Sequence, residues 1–116
     1  MERRNIIETI YKIPSAERFK IKELVPYRKG QIISLSLLNK NNAEIIVFSF
    51  DEGEGISEQT SFGDIMYCIL DGRADIYLKK KKFSLSEGDA IVIEAGESHS
   101  INAITYCKML QILISK

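Results

Sequence analysis

The 116-residue sequence is poor in the residues that most often build reactive sites. It has one histidine, His99, and two cysteines, Cys68 and Cys107, and its charges cancel. Sixteen basic and 16 acidic side chains leave no field favouring polyanions over polycations. That argues against dedicated nucleic-acid binding, which depends on a basic excess. The two cysteines lie far apart and form no CxxC pair, which excludes a zinc knuckle and leaves no basis for a disulfide framework. No apolar run is long enough to span a bilayer, and the opening MERRNIIETIYK is too charged and too briefly apolar for a signal peptide. The expectation is one soluble, cytoplasmic domain with neither nucleic acid nor membrane as partner. A chain of this length buries roughly two-thirds of its unfolded surface and needs no staples.

What is present reads in order as a helix followed by strands. Over residues 2–12, Ile6, Ile10 and Ile13 recur at three- and four-residue spacing, widened by Ile7 and Tyr11, which predicts a short amphipathic helix. Pro14 stops it, since the ring blocks helix continuation. Such a helix is unstable alone and must dock on the body or on a partner subunit. After Ser15, Phe19, Ile21, Leu24 and Val25 suggest a short strand interrupted at Pro26. QIISLSLL (31–38), a turn at 39–42 and AEIIVFSF (43–50) form a strand–turn–strand signature. Beyond it, glycines at 53, 55, 63, 72, 88 and 96 punctuate short apolar strands, ending in a nearly all-apolar strand over 105–114. One helix followed only by strands predicts an all-β antiparallel barrel or sandwich, with residues 1–14 as a helical extension and 15–116 as the domain. The run Lys79–Lys82 has two readings, an anion patch or a solvated hairpin tip; the zero net charge favours the tip. Asp51, Glu52 and Glu54 lack the spacing of a calcium loop and read as a solvated turn.

The glycine frame resembles the cupin superfamily, small double-stranded β-helix (jelly-roll) barrels. Their first motif runs glycine, five residues, histidine, one residue, histidine, three or four residues, glutamate, six residues, then a closing glycine. Here Gly53 and Gly72 hold the frame, and Gln59, Ser61 and Ile65 stand at the three ligand positions. The second motif runs glycine, five residues, proline, one residue, glycine, two residues, histidine, three residues, asparagine. Here it reads Gly88, Glu94 in place of proline, Gly96 and His99, with Ala103 at the asparagine position and Asn102 one step early. The likeness is strongest in DIMYCILDGRADI and LSEGDAIVIEAGESHSI.

In that family three imidazoles and a carboxylate converge inside the barrel on a divalent metal. By strand parity Gln59, Ser61 and Ile65 face inward, whereas Glu58 and Asp64, the nearest carboxylates, face away. One imidazole with two weak neutral oxygens is a poor metal site, so no cofactor is expected; the weaker alternative is a divalent ion at His99 and Gln59. Tyr67 shares the parity of Ile65. The candidate ligand pocket is therefore Gln59, Ser61, Ile65, Tyr67 and His99, a mostly apolar cavity with a few converging polar groups. A His–Tyr pair also suits metal-free acid–base chemistry, as in sugar epimerases on the same barrel. Cys68 has the opposite parity and packs behind the sheet. The resemblance implies a homodimer, as many relatives are. Three functions follow: a metal-independent module binding a small polar or carbohydrate-like ligand, an isomerase- or epimerase-type enzyme, and a structural dimer with a vestigial cavity.

Overall fold

The computed structural model describes Ile13 and residues 15–115. The helix expected over 2–12 lies outside these residues. The described residues form nine strands in order: β1 (Ile32–Lys40), β2 (Ala43–Phe50), β3 (Gly55–Gln59), β4 (Asp64–Asp71), β5 (Arg73–Leu78), β6 (Lys81–Ser86), β7 (Ala90–Ile93), β8 (His99–Ala103) and β9 (Cys107–Ile114). They form a five-stranded sheet, β1-β2-β9-β4-β7, facing a four-stranded sheet, β3-β8-β5-β6. Every pairing is antiparallel. This is the antiparallel all-β architecture expected from the strand spacing, in the jelly-roll form that the glycine-frame resemblance implied. Among the described residues, no helix is long and apolar enough to cross a membrane.

Period-two alternation decides which side chains enter the barrel. Along β4, Ile65, Tyr67 and Ile69 are buried while Met66 and Cys68 are half-buried on the opposite face. Along β9, Cys107, Met109 and Gln111 are buried in the same rhythm. With Phe50, Ile76, Ile93 and Ile101 these residues build the inner core. Each fully buried large apolar side chain there contributes about 1.5–3 kcal/mol.

A second cluster lies on the outer face of the five-stranded sheet, where Val25, Leu37 and Val47 pack with Ile13, Ile21, Leu24 and Leu110. It corrects one expectation. Residues 19–25 are not a strand but a chain that makes a 3₁₀ turn at Ile21–Glu23. Ile21, Leu24 and Val25 are spaced by three and one, a helical spacing that puts all three on one side, against β1 and β2. Polar ties hold this segment down: the Ser49 hydroxyl donates to the Pro26 carbonyl at 2.7 Å, and Tyr27 donates to Asp71 Oδ2 at 2.6 Å. Lys108 Nζ donates to the Lys22 carbonyl at 2.7 Å and sits 4.7 Å from the centre of the Tyr27 ring.

The turns are tighter than the sequence suggested. β1 and β2 pair through Lys40 and Ala43, so the loop is two residues, with Asn41 at φ 48°. The β5–β6 turn is likewise two residues, Lys79 and Lys80, at φ 54° and 62°. Two positive φ values define the hairpin turn that favours Asn-Gly. Each lysine held there costs about 1–2 kcal/mol.

Candidate functional site

The five residues singled out from sequence do not all come together. β3 carries Gln59 opposite His99, the first residue of β8, after a bulge that shifts the register beyond Ile56. β4 brings Tyr67 across from the facing sheet. Its hydroxyl lies 2.9 Å from His99 Nε2, and the two rings meet edge to face at 5.6 Å. Gln59 sits beside the same hydroxyl. Ile65 packs in the core beside them. Ser61, by contrast, sits in the β3–β4 loop, where its hydroxyl donates to the Gly63 carbonyl at 2.7 Å and its own carbonyl accepts the Gly96 N–H at 3.0 Å. Its hydroxyl serves that turn.

The partners fix the imidazole tautomer. His99 Nδ1 is 3.2 Å from the Glu97 carbonyl, which can only accept, so Nδ1 carries the proton. Nε2 is then the lone-pair nitrogen, and the Tyr67 hydroxyl donates to it. A relay results: Tyr67 to His99 and His99 to the Glu97 backbone, with Gln59 beside the Tyr67 hydroxyl. It is a closed site, because Tyr67 is 0% and His99 1% exposed. Burial raises the Tyr67 pKa from 10.0 to about 12, with the neighbouring Gln59 amide pulling the other way.

This geometry bears directly on metal binding. An imidazole ligates through a free lone pair, and the only one on His99 is engaged by Tyr67. Glu58 is exposed and accepts from the Ser98 hydroxyl at 2.6 Å; Asp64, also exposed, accepts the Ala95 N–H at 2.9 Å. Both carboxylates point away from the barrel interior, as parity required. Among the described residues no three His, Cys, Asp or Glu side chains gather as a metal would need. The donors present do not fit the divalent ion that the resemblance implies.

One polar residue of the interior escaped sequence reading. Gln111, 9% exposed, stands opposite Tyr67 in the β4–β9 register and so shares its face. The signal was there: it is the single uncharged polar residue of CKMLQILI, at the inward parity of Cys107 and Met109. A cleft of about 690 Å³ lies at the other end of β8, lined by Tyr27, Lys29, Asp51, Glu52, Gly53 and Tyr106. Nothing in the sequence pattern singled it out, since its residues come from three separate turns.

No protein-family model matches the sequence, and no curated protein is detectably similar. Solved structures are. A cupin superfamily protein from Desulfitobacterium hafniense has a TM-score of 0.88 and 32% identity, covering 92% of this chain and 98% of its own. A conserved protein of unknown function from Streptococcus pyogenes has a TM-score of 0.90 and 30% identity, covering 97% and 98%. A cupin 2 conserved barrel domain protein from Leptotrichia buccalis has a TM-score of 0.81 and 32% identity, with 84% of this chain matched to 47% of that one.

Proposed function

Since the chain belongs to the cupin superfamily, we propose that it is a metal-independent binding module whose ligand, small and polar or sugar-like, enters the barrel at Gln59. One observation carries this reading: the 2.9 Å bond from Tyr67 to His99 Nε2 occupies the nitrogen that a metal would take. Tyr67 and His99 form the floor. Gln59 is half-buried beside the relay, and its amide has donor and acceptor capacity to offer a ligand. Acid–base catalysis needs a substrate atom within hydrogen-bond reach of the acid or base. The burial of both Tyr67 and His99 closes that approach in this conformation, which favours binding over chemistry.

The same burial favours a second reading, in which the relay is a satisfied core network and the cavity is vestigial. A thermal-shift screen of sugars and small acids separates the two. A true ligand at a hundred times its Kd stabilises by about 2.7 kcal/mol, a shift of several degrees. The expected result is a shift that disappears in Gln59→Ala. A ligand that stabilises Gln59→Ala equally, or a screen with no stabilising compound, contradicts the pocket and supports the structural reading.

A further inference from the structure

We propose that the Lys79–Lys82 tip of the β5–β6 hairpin is the anion-recognition element of the barrel mouth, so that the ligand bound there carries a carboxylate or phosphate. The inference rests on the binding-module reading above and narrows its ligand class. Register supplies the first argument. Gln59 pairs with His99, His99 with Leu78, and Leu78 with Lys81, a single row across β3, β8, β5 and β6. Residues directly opposite one another share a face. Since His99 and Leu78 pack into the interior, Lys81 extends from the same face at the row's outer end. Two strand spacings put its Cα about 10 Å from that of His99, with Leu78 between them on the same face.

Strain supplies the second argument. Lys79 and Lys80 both hold positive φ in a two-residue turn where Asn and Gly would be relaxed. A strained backbone that persists is reason to look for a function, and what this one presents is ammonium groups. Lys79 Nζ lies 3.9 Å from Glu97 Oε2, which ties the tip to the residue whose carbonyl holds His99 Nδ1. The Glu58 and Asp64 carboxylates face outward and are occupied by Ser98 and the Ala95 N–H. With no net charge on the whole chain, the attraction is local to the mouth, which fits a small anion better than a long polyanion.

The test is a titration with inorganic phosphate at low ionic strength, followed by amide NMR shifts on the full chain and on two variants. Shifts are expected to concentrate at residues 79–82, Gln59 and His99, with apparent affinity falling at least about fivefold in Lys81→Gln. Lys79→Asn/Lys80→Gly should melt about 5 °C higher without phosphate, because the turn is relieved, and should bind phosphate more weakly. Diffuse shifts, shifts unchanged in Lys81→Gln, or a double variant no more stable than the parent would each overturn the proposal. Glucose stabilising through Gln59 while phosphate ignores the tip would sink this inference alone. Phosphate held by the tip, with no compound stabilising through Gln59, would sink the pocket reading instead.

Discussion

Tyr67→Ala is expected to lower the free energy of unfolding by about 4 kcal/mol, read as a lower denaturant midpoint at unchanged slope. Two losses add. Truncating a fully buried aromatic leaves a cavity among Phe50, Ile65, Ile69 and Met109. It also strips His99 Nε2 of its donor, and an unsatisfied buried acceptor costs about 1–3 kcal/mol. Tyr67→Phe separates the terms by keeping the volume and removing only the hydroxyl, so its cost should be about 1–2 kcal/mol. The alkaline limb provides an independent readout. Because the folded-state pKa of Tyr67 is raised from 10.0 to about 12, the folded protein keeps this proton where the unfolded chain releases it. The resulting stability is fully present below pH 10 and is lost as pH rises through 10 toward 12. Cys107 acts in the same sense, its pKa raised from 9.0 to about 12 by burial and by the Asp71 charge. Tyr67→Phe should therefore make the fall above pH 10 shallower, leaving the shares of Cys107 and of Tyr27, whose pKa is raised by burial and by its bond to Asp71. An unchanged alkaline limb would contradict the buried, proton-donating tyrosine.

The second large effect is expected at Gly72→Ala, at about 4 kcal/mol, enough to leave most of the chain insoluble or unfolded at 37 °C. Gly72 joins β4 to β5, where the chain leaves one sheet for the other, and it does so at φ 80°. An added Cβ would overlap the backbone carbonyl oxygen of Tyr106 and press on Thr105 Oγ1. Neither can yield cheaply. The Thr105 hydroxyl oxygen already accepts the Arg73 N–H at 3.0 Å and donates to the Tyr106 carbonyl at 2.8 Å. Gly88→Ala is the control. Its φ is 91°, but nothing lies within 4 Å of the added carbon, so it should cost only the conformational strain, about 1–2 kcal/mol. Equal losses from the two substitutions, measured by denaturant unfolding, would remove the overlap at Tyr106 as the cause.

The barrel was legible in the sequence because its turns are written in glycine and its strands alternate. Tyr67 inward, Cys68 outward, and Glu58 and Asp64 away from the interior all follow from counting by two. What parity cannot give is distance across the barrel. That Tyr67 meets His99 depends on how the five-stranded and four-stranded sheets face each other, and no local pattern encodes it. Ser61 was misplaced because β3 ends at Gln59, so strand parity no longer applies two residues later. Residues 19–25 were misread because Ile21, Leu24 and Val25 are apolar for packing on an outer face, not for entering a sheet. The two-lysine turn was invisible as a strained feature, since only backbone angles distinguish it from a longer solvated loop.

Tyr67, and not a metal, satisfies His99. Elemental analysis of protein purified without a histidine tag, alongside Tyr67→Phe and His99→Ala, puts this to the test. The expected result is iron, manganese and zinc well below one equivalent in the parent, with no loss attributable to His99→Ala. One equivalent of any of these metals in the parent, absent from His99→Ala, would contradict the claim.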